Sequence, residues 1–240
     1  MKEVNSYGWK AVIGSSIGYA MDGFDLLILG FMLTLISGDL GLTTGQAGSL
    51  VTWTLVGAVI GGFIFGTLSD KFGRVRVLTW TIVLFAVFTG LCAFAQGYWD
   101  LLIYRTIAGI GLGGEFGIGM ALAAEAWPAQ HRAKATSYVA IGWQLGVLAA
   151  ALLTPVLLPY IGWRGMFLVG IIPAFVAWIF RAKLHEPEIF VQSKDTKEHS
   201  HTNSFKLLVK DVRTTKTSIG VAILTSVQNF GYYGIMIWLP

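Results

Sequence analysis

Seven stretches of this chain are each long and apolar enough to cross the hydrocarbon of a bilayer, and apart from 185–216 little sequence lies between them. They run over 11–37, 47–69, 77–97, 99–126, 135–160, 163–184 and 217–240. A crossing helix needs about 20 residues. Inside lipid every backbone N–H and C=O must be satisfied within the protein, so unbroken apolar runs of this length read as helices. The composition agrees, with 55% hydrophobic and 12% charged residues. That charged share is about half that of a soluble domain. Mean hydropathy is +0.66. Thirty glycines suit the close helix packing found in membranes. The first run is too long for the core of a signal peptide and lacks a clear small-residue cleavage site, so it reads as a retained helix. Cys92 is alone, which excludes a disulfide framework and leaves a small buried hydrophobe.

Lys and Arg set the orientation. Of 17 basic residues, 15 fall before run one, between runs two and three, between four and five, or from the end of run six onward. Arg164 lies on the other side and Arg105 lies inside a run. The pattern predicts a multi-pass plasma-membrane protein with a cytoplasmic N-terminus, and it accounts for the +4 net charge without a nucleic-acid partner. Trp9, Trp80, Trp99, Trp127 and Trp163 fall near run ends, where aromatic belts form. Three parts are expected: a six-helix bundle over 1–184, a cytoplasmic linker over 185–216, and the start of a second bundle over 217–240. A short amphipathic helix is expected near the end of the linker, around Phe205–Val209. His199 and His201 in that linker read as a solvated polar run, and no metal or cofactor is expected.

Four ionisable residues interrupt the runs: Asp22 and Asp25 in the first, Arg105 and Glu115 in the fourth. Insertion scales charge each about 2.5–3.5 kcal/mol, on the order of 10 kcal/mol together. Such groups are kept where they line a path or bind something, so the expectation is a solvent-reachable hollow midway through the membrane. Asp22 and Asp25 share a helix face with Ser15 and Tyr19. Two close carboxylates cannot both ionise freely, which suits proton handling. Arg105 and Glu115 stand ten residues apart, about 15 Å along a helix, and cannot pair within it. Arg105 is expected to meet a substrate anion through the two-point geometry of its guanidinium, with an Arg105–Asp25 pair as the structural alternative. Gly109, Gly111 and Gly114 fit a G-x-G-x-x-G spacing, but no strand precedes them, so a dinucleotide site is excluded. With Gly57 and Gly61, Gly62 and Gly66, and Gly142 and Gly146, they read as helix-packing positions.

Two loops carry motifs. Closing run two and turning toward run three stand Gly66, Asp70, Lys71, Gly73, Arg74 and, after Val75, Arg76. At the end of run four and just after it stand Glu125, Pro128 and Arg132, where Glu125 can pair with Arg132 or with a basic residue of the other loop. The first run resembles the signature loop of the major facilitator superfamily, with Arg76 in place of a second basic residue at 75. The second resembles the run after the fourth helix of its sugar-porter-like members, with Ala133 in place of a glycine. Asp22-Gly23-Phe24-Asp25 resembles the first helix of the aromatic-acid and organic-anion proton symporters and of sialate carriers. Leu184–Phe190 echoes a further family run. The resemblance implies an all-α membrane carrier represented by its N-terminal bundle plus the start of helix seven, with the second half lying beyond. It implies proton-coupled symport of a small organic anion by alternating access, with both loops acting as gates. A sugar or polyol facilitator without proton coupling, or a non-transporting half-protein, are the alternatives. No nucleophile–base set is present, so no enzyme is expected.

Overall fold

The chain divides into two units: Met1–Ser193, in which helices pack side by side, and Lys194–Pro240. This is a computed structural model, and it describes residues 6–182, 184, 186 and 210–238. The first unit holds α1 (Ser6–Leu40), α2 (Thr44–Phe72), α3 (Arg74–Cys92) and α4 (Tyr98–Glu125). A 3-10 turn at Ala129–His131 leads into the run Arg132–Ala182. That run breaks at Gly162, where φ is 63° and ψ 179°, which makes it two helices: α5 (132–161) and α6 (163–182). Only glycine adopts such a conformation readily. The second unit contains α7 (Val212–Trp238). Among the described residues there is no strand. The all-α, six-helix expectation is borne out.

Local chemistry sets the helix ends. Thr43 and Gln46 form a reciprocal capping box at the start of α2, with Gln46 N–H donating to the Thr43 hydroxyl at 3.3 Å and Thr43 N–H to the Gln46 side chain at 2.9 Å. The helices overrun the apolar stretches. α1 has 35 residues, about 52 Å of helix, so both its ends project past the hydrocarbon. α3 does the reverse and stops at Cys92 rather than 97. Its last turn tightens through N–H bonds from Ala93, Phe94 and Ala95 to carbonyls three residues back. Gly66 was expected in the turn after α2, but it lies within the helix, and the reversal rests on Gly73 at φ 112°. α1 to α4 and the run containing α5 and α6 are long and apolar enough to cross a membrane. α7 starts earlier than expected because the Asp211 carboxylate accepts the Thr214 N–H at 2.8 Å.

Two seams hold the first unit together. On one, Gly142 and Gly146 of α5 lie against the carbonyl oxygens of Ser16 and Ala20 in α1. On the other, Gly57 and Gly61 of α2 lie against those of Thr106 and Ile110 in α4, while Gly109 and Gly113 of α4 lie against Thr54 and Ala58 of α2. In each case an added Cβ would overlap backbone, so only glycine lets the axes come this close. Gly62 and Gly66 do not join the seam: a Cβ at Gly62 meets Gly113 O at 3.5 Å and one at Gly66 meets nothing. Outward, α2 exposes Trp53, Val59, Phe63 and Ile64, an apolar face that suits lipid. Trp9, Trp80 and Trp99 are exposed near helix ends. Trp127 and Trp163 are buried instead, their indole N–H groups donating to Gly8 O and to Asp39, so these two are internal ties rather than belt residues.

Gly146→Val should force α1 and α5 apart at an expected cost of about 1–3 kcal/mol. Gly30→Ala, where a Cβ meets nothing within 4 Å, should stay within about 0.5 kcal/mol of the parent. Thermal midpoints in detergent check the contrast.

Candidate functional site

All four interrupting residues turn inward. Asp22 and Arg105 are 0% exposed, and Asp25 and Glu115 are 1% exposed. The register of the seams causes this, because with α5 fixed on one side of α1 and α2 on one side of α4, the charged faces of α1 and α4 point into the bundle. Arg105 Nη1 donates to Asp25 Oδ1 at 3.0 Å and Nη2 lies 2.8 Å from Oδ2. Phe167 of α6 stands 5.8 Å from the guanidinium carbon, and Cys92 donates its thiol proton to Phe88 O beside the pair. Arg105 therefore holds Asp25, the alternative weighed from the sequence, rather than standing open to a substrate. The expected solvent-reachable hollow is not met around these four side chains. Every residue from Met21 to Leu29 in α1 is buried, and tight packing excludes water there.

Toward the other end of the α1–α4 contact, the Tyr19 hydroxyl donates to Phe116 O at 3.1 Å. The Tyr19 ring meets Phe116 at 5.1 Å, and Phe116 meets Trp143 of α5 at 5.3 Å. Tyr19 lies within electrostatic reach of both Asp22 and Glu115. The polar stripe of α1 thus divides: Asp25 faces Arg105, while Ser15 and Tyr19 face Gly119 and Phe116.

The basic end carries the loop residues. Arg74 reaches Asp70 at 2.8 Å, Glu125 at 3.1 Å and the Ser69 hydroxyl at 2.7 Å. Glu125 takes the basic residue of the other loop, while Arg132 begins α5 exposed to solvent. Lys71 lies over the Phe72 ring at 5.4 Å. Sequence reasoning named the run containing Glu186 but gave that residue no role. Its carboxylate accepts the backbone N–H groups of Val75 at 3.3 Å and Arg76 at 3.1 Å, which caps α3 at its positive end. Gly73 makes room, since a Cβ there would sit 2.6 Å from the Glu186 carboxyl carbon. Burial, then Glu186 and Glu125, push the nearby Tyr7 phenol up to about 12. The remainder of 185–209, with His199 and His201, lies outside the described residues. Among the described residues no group of three metal-ligating side chains occurs.

At the opposite end Asp39 ties three connections together, and sequence reasoning missed it. It accepts Arg164 Nη1 at 2.6 Å and the Trp163 indole N–H at 3.0 Å, while Arg164 Nη2 donates to Ala95 O at 3.3 Å. Arg164 also stacks on Trp163 at 4.1 Å. A hollow of about 530 Å³ opens beside it between Leu35, Pro159 and Gly162.

With this architecture established, the family model of the Major Facilitator Superfamily matches residues 15–240. The chain belongs to that superfamily. It is a multi-pass membrane protein of a family of transporters. A Haemophilus influenzae relative named only for metabolite transport is 76% identical over 99% of this chain and 60% of its own length. The cis,cis-muconate transport protein of Acinetobacter baylyi is 33% identical over 99% of this chain and 59% of its own. The sialic acid transporter NanX of Escherichia coli is 33% identical over 80% and 48%. Among solved structures, the xylose transporter XylE from E. coli aligns with a TM-score of 0.71 at 24% identity, covering 81% of this chain and 52% of that one. That likeness speaks to the fold. The chain spans about half the length of the curated relatives it matches.

Removing one partner of the buried pair, as in Asp25→Asn or Arg105→Met, should cost about 3–5 kcal/mol by leaving a charge uncompensated. The double variant should recover most of it, and a thermal double-mutant cycle measures the coupling. Arg164 and then Trp163 hold the Asp39 carboxyl below its ordinary value. A carboxyl depressed in the folded state adds stability above its unfolded value of about 3.9, which is lost as pH falls through the folded value. Asp39→Asn should therefore lower the thermal midpoint modestly at neutral pH, converge with the parent at low pH, and so flatten the acid limb of the stability–pH curve.

Proposed function

We propose that the full-length protein imports a small organic anion together with a proton by alternating access, with the N-terminus in the cytoplasm. The observation that carries this reading is the Arg105–Asp25 pair. A carboxylate arriving at Arg105 must displace Asp25, and Asp25 gives up the guanidinium at least cost when it takes a proton. Anion and proton then travel together, because neither exchange is favourable alone in a dry interior. Asp22, one turn away, shares the proton with Asp25, and Glu115 completes the buried polar core. The relatives support the anion class, since muconate and sialic acid are carboxylates. The Arg74–Asp70–Glu125 network ties the loop after α2 to the end of α4 and serves as a gate at the basic end. On this reading the chain supplies the first bundle and the beginning of the second, joined through 185–216.

The test is uptake by the full-length protein in proteoliposomes across a panel of carboxylates and sugars. An inward proton gradient should drive accumulation of a carboxylate by more than tenfold. Asp22→Asn should abolish that accumulation while sparing exchange at equal pH. Sugar counterflow indifferent to pH would overturn the proposal.

A further inference from the structure

At the end of the bundle opposite the basic loops, the hollow beside Asp39 has a polar lip and an apolar floor. Its volume of about 530 Å³ falls within the roughly 300–1,000 Å³ usual for small-molecule sites. Leu35, Leu158, Pro159 and Gly162 form the floor, and Asp39, Trp163 and Arg164 form the lip. The break at Gly162 shapes it: with φ at 63° the backbone leaves α5 and brings Trp163 and Arg164 back onto Asp39. A Cβ on Gly162 would meet nothing within 4 Å, so the hollow stands open there.

The lip keeps hydrogen-bonding capacity beyond its own contacts. Asp39 Oδ2 accepts from both Arg164 Nη1 and the Trp163 indole, and among the described residues nothing donates to Oδ1. A guanidinium has five N–H donors, and Arg164 gives one to Asp39 and one to Ala95 O. Both side chains are about half exposed, Arg164 at 45% and Asp39 at 48%. A lone anion arriving here meets the Asp39 carboxylate, and a lone cation meets Arg164. A molecule that carries both charges a short distance apart finds a partner for each.

Depth decides what kind of molecule that is. The apolar run of α1 ends at 37, so Asp39 stands two residues, about 3 Å, beyond it. Headgroups occupy about 5–8 Å outside the hydrocarbon on each side. The lip therefore lies at headgroup level and the floor at the edge of the hydrocarbon. Phe31, one turn before Leu35 on α1, and Val156 on α5 are exposed as well, so the apolar surface continues toward the membrane interior. A soluble zwitterion leaves that surface uncovered, whereas a lipid covers it.

We infer that this hollow holds one phospholipid with an ethanolamine headgroup, its phosphate on Arg164, its ammonium on Asp39 Oδ1, and the start of its chains over Leu35 and Leu158. Choline in place of ethanolamine leaves no N–H for Oδ1, and glycerol leaves no cation. The bound lipid joins the end of α1 to the start of α6 from outside, beside the direct Asp39–Arg164 contact.

Native mass spectrometry of the full-length protein reads this binding without any transport. After delipidation and titration with dioleoyl lipids, one phosphatidylethanolamine should stay bound at a collision energy that strips phosphatidylcholine and phosphatidylglycerol. Asp39→Asn and Arg164→Gln should each lower the retained fraction several-fold. Leu35→Trp keeps both charges but fills the floor, and should lower it as well. Lys134→Gln, at the basic end, should leave it unchanged. In bilayer nanodiscs the thermal midpoint of the wild type should rise by a few degrees when phosphatidylethanolamine replaces phosphatidylcholine, and the rise should vanish in Leu35→Trp. Equal retention of the three lipids overturns the inference, and a hollow covered by the second half of the protein gives that result. Preferential retention of phosphatidylglycerol also overturns it, as does phosphatidylethanolamine retained undiminished in Asp39→Asn, Arg164→Gln and Leu35→Trp.

Discussion

Helix backbones touching at glycine are the contact on which this bundle depends. Lipid offers no hydrophobic drive for two apolar helices to meet, so association depends on packing and on polar contacts. The carbonyls of Ser16, Ala20, Thr106 and Ile110 each lie where a facing glycine has no side chain. These contacts fix the rotation of α1 and α4 about their own axes. Rotation decides everything that follows, because Asp22, Asp25, Arg105 and Glu115 would meet acyl chains if either helix turned by a third of a circle.

The Arg105–Asp25 pair adds little stability by itself, since replacing such a pair with fitted apolar residues is often neutral or favourable. Its value lies in being breakable at one defined place. The links at the two ends differ in kind. Arg74 with Asp70 and Glu125, and Arg164 with Asp39, keep side-chain exposures of 17–48%. Water screens them, so they hold the two ends only weakly. The ends can therefore loosen while the core stays closed. Glu186 reaches the start of α3 by accepting two backbone donors, next to the loop after α2.

Apolar run length made the helices legible, and the density and spacing of Lys and Arg gave a consistent alternation. Their ends were less legible, because α1 continues past its apolar run through residues that water tolerates as well as lipid does. The four buried charges could be found because ionisable groups in apolar runs are expensive, but not their partners. Whether Arg105 meets Asp25 or a ligand depends on the rotation of two helices, and single-chain periodicity does not encode the angle between them. Asp39 went unnoticed because it sits just beyond a run, where a carboxylate is unremarkable. Glu186 was hidden because its ligands are backbone N–H groups of Val75 and Arg76, which have no signature of their own.

The two seams share one register, in which a shift of ninety positions carries α1 onto α4 and one of eighty-five carries α2 onto α5, and it was equally hidden, since the seam contacts preserve backbone apposition and little side-chain identity: Ser16 answers to Thr106, Ala20 to Ile110 and Ala58 to Trp143. A scaffold that repeats its backbone contacts but not its charges separates two requirements. The glycines of the shared contacts, Gly57 and Gly142, Gly61 and Gly146, and Gly23 and Gly113, serve packing and keep one register. Arg105 and Tyr19 have no like residue at their images, Ser15 and Gly109, so neither is required by the packing the copies share. Departures of this kind, at positions where the backbone is the same, are where a repeated bundle can acquire direction.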